Sequence, residues 1–255
     1  MLEVKNLSTG YDGIDVVHDV SLQVNGGENL CMLGANGCGK STIIKAISGY
    51  LPKKGSIEID GLDIEKMKRK ELARKIGVMS QVSSIYFSYS VYETVLLGRY
   101  LHLKENSLKR PSKKDKEYIK DCLHAVNLYD VKDKQINTLS GGQLQRVFLA
   151  RTFAQDPNII LLDEPTNHLD LKHQLELVEY LKNWTDKKNR AVIGVFHDIN
   201  LAMTMADKVL LLDQGKVAAY GGKEEVLTSK KLQLTYGIDV VSFMRKSLEQ
   251  WENVV

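Results

Sequence analysis

The sequence predicts an α/β fold: a mostly parallel sheet flanked by helices, preceded by an antiparallel β subdomain and interrupted by an inserted α-helical subdomain. Three observations predict it. Short apolar runs alternate with helix-length stretches from Asn158 onward. Leu2 and Val4 alternate with Glu3 and Lys5, as Val20, Leu22 and Val24 do with Ser21 and Gln23. Residues from about Val91 to Ala154 read as mostly helical, with a polar interruption near Ser107 to Lys116. A chain of 255 residues with 43% hydrophobic and 26% charged residues has ample material for a buried centre.

In chain order, the opening alternation marks antiparallel strands with one wet face. Asn25-Gly-Gly27 is a turn, and Asn29 to Leu33 is a short buried strand entering a glycine loop. Lys40 to Ser48 reads as helix, ending near Gly49. Ser56 to Ile59 and Ile76 to Met79 return to strand. After the helical stretch come strand Asn158 to Leu162, helix Leu171 to Trp184, strand Ala191 to Phe196, helix Ile199 to Ala206 and strand Val209 to Leu212. Asp213 to Lys216 turns back into a strand at Val217 to Tyr220. In the long helix, Leu171, Leu175, Val178 and Leu181 recur at helical spacing and predict one buried stripe. We expect one domain over 1–255, with the β subdomain and core in 1–90 and 155–222, helices in 91–154 and a tail in 223–255.

Composition excludes several classes. The net charge of +3, from 35 basic and 32 acidic residues, gives no general drive toward nucleic acid, and none is expected as a partner. The cluster Lys109, Arg110, Lys113, Lys114 and Lys116 sits beside Pro111 and Asp115 and reads as solvated surface. Met1 to Asn6 has no signal-peptide core, and no apolar run approaches the roughly 18 residues that cross a bilayer. A transport path would therefore belong to another chain. Cys31, Cys38 and Cys122 are an odd, scattered set, which points to a reduced cytoplasmic protein.

Gly34-Ala-Asn-Gly-Cys-Gly-Lys-Ser41 sits between a predicted strand and a predicted helix, the context of a phosphate-binding loop. Gly34, Asn36, Gly37, Cys38 and Gly39 would curl the backbone so that N–H groups face an anion, assisted by the helix dipole. Lys40 would reach the β- and γ-phosphates, Ser41 would place its hydroxyl on Mg²⁺, and Thr42 would bond the α-phosphate. The core thus reads as a P-loop NTPase. Cys38, among inward-pointing N–H groups at a helix start, is expected to favour thiolate and to react with maleimide unless MgATP shields it.

Ile159 to Leu162 delivers Asp163 and Glu164 at a strand's carboxyl end, where open α/β sheets bind ligands. Asp163 would hold Mg²⁺ through water, and Glu164 would orient and polarise the attacking water. Gln81, closing the strand Ile76 to Met79, would contact both the metal and that water. His197 follows an apolar strand in the same register and would contact the γ-phosphate. Leu139-Ser-Gly-Gly-Gln143 opens a helix with Ser140 as N-cap and Gly141 and Gly142 exposing N–H groups beside Gln143. This is a second anion-binding helix end, which one triphosphate does not need. The economical reading is that it serves a second nucleotide, in trans.

With these motifs together, the sequence resembles the nucleotide-binding subunit of an ABC transporter over nearly its whole length. The resemblance implies a homodimer closed on two ATP molecules with Mg²⁺, each nucleotide lying between one subunit's glycine loop and its partner's signature. It makes Ser140 and Gly142 trans γ-phosphate contacts, Asp170 a residue signalling between sites, and Tyr11 the aromatic stacked on adenine. It places the chain at the cytoplasmic face of a cell membrane, bound to integral permease subunits and served indirectly by an extracytoplasmic substrate-binding protein. Tyr86 to Tyr92 would line the groove for a permease helix.

A narrower likeness is carried by Val95-Leu-Leu-Gly-Arg-Tyr100, Asp163-Glu-Pro-Thr-Asn-His-Leu-Asp170 and His197-Asp-Ile-Asn-Leu-Ala202. These are similar to importer ATPases for iron–siderophore complexes, haem and cobalamin. Leu101 stands where that subfamily commonly has proline, and the tail ending at Val255 carries no family pattern. The alternative is a soluble ABC ATPase without a membrane partner, such as an iron–sulfur assembly factor. A small-molecule kinase would have no use for Leu139 to Gln143.

Overall fold

The computed structural model describes residues 1–79, 88–103, 110–167, 169–186 and 189–252. Gln81, Tyr86, Phe87, Lys109 and the last residues of the tail lie outside the described residues. Two sheets organise the chain. Strands β1 (Leu2–Tyr11) and β2 (Ile14–Val24) pair antiparallel with Leu2 opposite Val24 and Val4 opposite Leu22. The alternation legible in the sequence therefore puts Leu2, Val4, Leu22 and Val24 on one buried face. β4 (Lys53–Ile59) joins the other edge of β1, and β5 (Leu62–Asp63) extends it, giving the order β2-β1-β4-β5.

The second sheet runs β10-β9-β3-β8-β7-β6. It uses β3 (Asn29–Leu33), β6 (Ile76–Met79), β7 (Ile159–Asp163), β8 (Ala191–Val195), β9 (Lys208–Asp213) and β10 (Lys216–Gly222). All neighbours pair parallel except β10, which returns antiparallel along β9. Its central strands are covered on both faces, which is why they are unbroken apolar runs. Leu30 and Met32 of β3 enter one core and Cys31 and Leu33 the other.

The first core, between the two sheets, encloses α1 (Lys40–Ile47) through Ile43, Ile44 and Ile47. The short α2 (Arg69–Lys75) leads into β6. The opposite core gathers α3 (Val91–Gly98), α4 (Lys113–Ala125) and α5 (Gly141–Ala154), all inserted between β6 and β7. It also takes α6 (Leu171–Thr185) and α7 (Ile199–Met205). The tail forms α8 (Lys223–Val226), α9 (Ser229–Tyr236) and α10 (Val240–Glu252), anchored by Val226, Leu232 and Val240.

The predicted elements are present, with two corrections. In α6, Leu171 and Leu175 are 66% and 48% exposed, and the buried stripe is Leu177, Val178, Leu181 and Trp184. Its first turn lies outside the packed region, so an apolar residue there has nothing to bury against. The polar interruption also ends earlier than its composition suggests. Ser112 and Asp115 form a reciprocal capping box that starts α4 at Lys113, with Lys113, Lys114 and Lys116 exposed.

Arg99 of the Gly-Arg-Tyr stretch proves to be buried framework. Its guanidinium donates to Asp115 Oδ1 at 3.0 and 3.1 Å and to the Ala154 carbonyl at 3.2 Å. One side chain thereby ties the start of α4 to the last turn of α5, satisfying a helix-end carbonyl. Burial alone would raise the Asp115 carboxyl, but hydrogen bonds from Ser112 and Arg99 outweigh it and hold the group below its usual range.

Candidate active site

The glycine loop is shaped by contacts only glycine permits. Gly34 has φ +146°, and a Cβ there would stand 2.1 Å from the Leu212 carbonyl oxygen. Gly39 caps α1 at φ +105°, with Val17 Cγ2 2.9 Å from any Cβ. Lys40 is buried as the first residue of α1, and its ammonium donates to the Gly34 and Ala35 carbonyl oxygens, both at 2.8 Å. Beside it opens a cavity of about 370 Å³ lined by Asn36, Gly37, Gly39, Lys40, Ser41, Thr42, Glu164, Asn167 and His197. N–H groups, a helix N-terminus and an ammonium on one wall suit a polyphosphate.

Strand register brings the other wall into place. β7 and β8 pair with Asp163 opposite Val195, so the residues just beyond both strands meet at one edge. His197 Nε2 donates to Glu164 Oε1 at 2.8 Å, and Asn167 Nδ2 donates to Glu164 Oε2 at 2.6 Å. Both carboxylate oxygens are thus fixed. The hydrogen bond from His197 is the largest influence holding the Glu164 carboxyl below its ordinary range, so it is ionised at neutral pH. Glu164 also sits at φ +53°, a left-handed backbone uncommon outside glycine. Gln145 of α5 supports the turn by donating to the Pro165 carbonyl at 2.6 Å.

Ser41 Oγ donates to Asp163 Oδ1 at 2.6 Å, joining the two oxygen groups predicted to share a magnesium ion. Among the described residues, no group of three or more His, Cys, Asp or Glu is placed to hold a metal. A hydroxyl and one carboxylate beside a phosphate cavity nonetheless fit Mg²⁺, which is bound by few protein oxygens plus water and substrate phosphates.

Other predicted residues stand elsewhere. Ser140 caps α5 through a reciprocal box with Gln143, accepting from the Gln143 N–H at 3.3 Å, and among the described residues its own hydroxyl donates to no partner. Gly141 is open to space, while Gly142 is packed so closely that a Cβ would meet the His173 ring at 2.7 Å. Asp170 caps α6 and holds that same His173 through Nδ1 at 2.6 Å. None of these lines the phosphate cavity. Tyr11 ends β1 and lines a separate surface cavity, its hydroxyl accepting from Lys45 of α1 at 3.1 Å.

Cys38 departs from expectation. The residue is 6% exposed and is not among those lining the cavity, and burial outweighs the nearby Lys40 to push the thiol up. The expected thiolate is therefore disfavoured, because Lys40 charge and loop N–H groups do not compensate for lost water. Asn167, Gln145 and Tyr236 are not singled out by the sequence, since each makes its contact by position. Of these, Asn167 had a clue: it lies three residues beyond Glu164 in the same turn.

Residues 17–167 match the ABC transporter family. The chain belongs to that family. It is 36% identical to the hemin import ATP-binding protein of Pseudomonas putida, over 94% of this chain and 94% of the relative. It is 34% identical to the ferric enterobactin transport ATP-binding protein of Escherichia coli, over 93% of this chain and 87% of that one. In fold it is similar to an ATP-binding cassette solved as a dimer in a post-hydrolysis state with ADP and Pi. That match has a TM-score of 0.74 at 29% identity, covering 87% of this chain and 98% of the other. The protein is thus an ABC ATPase, and among its described residues no helix is long and apolar enough to cross a membrane.

Proposed function

We propose that this ABC ATPase powers import of an iron–siderophore, haem or cobalamin-type chelate, working as an ATP-bridged homodimer beneath a membrane permease at the cytoplasmic face. An extracytoplasmic binding protein would deliver the cargo to the permease. The relatives named for ferric enterobactin and hemin support this substrate class. The observation that carries the catalytic reading is the ionised Glu164, held at both oxygens on the wall facing the phosphate loop.

The residues divide the reaction between them. Lys40 and the N–H groups of Asn36 to Gly39 bind the phosphates, and Thr42 takes the α-phosphate end. Ser41 and Asp163 would hold Mg²⁺, which neutralises phosphate charge when bound; Gln81 is assigned to the same ion and to the water. Glu164 accepts the proton of that water as its oxygen bonds to the γ-phosphorus and the bond to the β-phosphate oxygen breaks, giving ADP and phosphate. His197 keeps Glu164 charged and aimed while facing the γ-phosphate. Ser140, with Gly141, Gly142 and Gln143, would close on the nucleotide of the facing subunit, Asp170 would relay between sites, and Tyr11 would stack on adenine.

Glu164→Gln tests the assignment. It should retain MgATP affinity while kcat falls at least about 100-fold, the contribution of a positioned base. Unchanged steady-state turnover would refute the role. Co-reconstitution with its permease in liposomes, assayed with ferric chelates, haem and cobalamin, tests the cargo: ATPase stimulation by none of them would overturn it.

A further inference from the structure

The tail reaches the phosphate loop. Gly34 lies just past the paired portion of β3, which ends with Leu33 opposite Leu211 of β9. Its N–H therefore has no strand partner and needs another acceptor. Tyr236, the last residue of α9, supplies it: the Gly34 N–H donates to the Tyr236 hydroxyl at 3.1 Å across 202 positions of sequence. The helix that carries the phenol is fixed by buried Leu232 and Thr235, and it ends at Gly237 with φ +74°. The Gly34 carbonyl meanwhile accepts from Lys40. The first residue of the loop is thus held at its N–H by the tail and at its carbonyl by the lysine that serves the phosphates.

We infer that Tyr236 is a positioning residue for nucleotide binding, pinning Gly34 so that the loop keeps its shape when Lys40 turns from the Gly34 and Ala35 carbonyls to a phosphate. The tail is then part of the nucleotide site without touching nucleotide. Two neighbouring features agree. Cys38 Sγ packs 2.9 Å from where a Gly34 Cβ would stand, so it sits against the pinned residue and is sealed by the same arrangement. Gly215, in the turn between β9 and β10, donates to the Cys38 carbonyl at 3.1 Å, so the loop's far end is also tied to another segment of the chain. The inference rests on the phosphate-loop reading of Gly34 to Ser41.

Tyr236→Phe keeps the ring and deletes the hydroxyl. The expected result is a rise in KM for MgATP of about five-fold, the worth of one ordinary hydrogen bond, with a smaller fall in kcat. Alkylation of Cys38 by maleimide should accelerate in the same variant. Lys40→Ala serves as the control. Loss of affinity in Lys40→Ala with unchanged KM in Tyr236→Phe would overturn the tail coupling and leave the loop reading intact. Unchanged affinity in both would overturn the loop reading itself. Hydrogen exchange on the wild-type chain gives an independent measurement: MgADP should slow exchange in peptides covering 229–236 as well as in the loop. Protection of the loop with no change at 229–236 would also overturn the proposal.

Discussion

At the scale of single residues, the proposed catalytic role requires Glu164 to be both charged and immobile. Its carboxyl is lowered chiefly by the His197 hydrogen bond, so the ionised form persists into more acidic solution than an ordinary glutamate allows. Protonation removes the base, so turnover should fall as pH drops through that depressed value. Deleting the histidine removes the largest cause, and the acid limb should then move upward toward the ordinary value of 4.5. We expect His197→Ala to have lower kcat and an acid limb displaced to higher pH, read from the pH dependence of kcat. A limb that stays in place would show that His197 does not set the Glu164 charge. Lys40, Ser41, Glu164 and His197, which line the cavity, were legible because each lies in a local pattern with a chemical meaning. Asn167 and Tyr236 were less so. An amide and a phenol gain a role only when the fold sets them beside a carboxylate oxygen or an unpaired N–H, and in Tyr236 that happens across nearly the whole chain.

At the scale of elements, helix ends carry the architecture of the inserted helices. Ser90, Ser112 and Ser140 each start a helix with a reciprocal capping box, to Glu93, Asp115 and Gln143. Of these, only the Ser140 cap is read from the sequence; the Ser112–Asp115 box is hidden in a stretch whose polar composition reads as an interruption, although its spacing carries the signal. The Arg99–Asp115 pair was not legible, because residues from separate elements meet only after the helices pack. Breaking one side of a buried pair leaves an uncompensated charge and costs about 3 kcal/mol or more. We expect Arg99→Met to lower the thermal midpoint by on the order of 8 °C. Adding Asp115→Asn should recover part of the loss, since the remaining partner is then neutral. A single variant as stable as wild type would show that the pair contributes nothing to joining α4 and α5. Periodicity likewise located α6 and, through Val178 and Leu181, part of its buried stripe, but extended that stripe too far toward the N-terminus: pattern tells which side of a helix is apolar, and only packing tells how far along it the core extends.

At the scale of the whole molecule, the phosphate loop and the signature turn occupy different places within one chain. The cavity at Lys40 is lined from the loop, the first turn of α1 and the segments just beyond β7 and β8, and neither Ser140 nor Gly142 borders it. Among the described residues the Ser140 hydroxyl nevertheless donates to no partner, beside a glycine open to space, at a helix N-terminus. Such an end attracts an anion, and in a head-to-tail pair it would meet the γ-phosphate held by the other subunit. Each composite site would then take its loop from one chain and its signature from the other, which permits a complementation test. Lys40→Ala disables the loop, and Ser140→Arg fills the signature with bulk while leaving the loop intact. Both should be nearly inactive alone. Mixed, they form heterodimers in which one composite site combines the two damaged halves and the other combines two sound ones. ATPase activity should therefore reappear on mixing, rise with the heterodimer fraction, vanish when the Ser140→Arg chain also carries Glu164→Gln, and persist when the Lys40→Ala chain carries it instead. A mixture no more active than its components would mean that the two motifs do not act across a subunit boundary, or that one sound site cannot turn over beside a broken one. Wild-type chains mixed with an excess of the double variant Lys40→Ala/Ser140→Arg separate these cases. Such heterodimers have no sound composite site, so trans action predicts that activity falls with dilution of wild type, whereas sites complete within one chain predict that it holds.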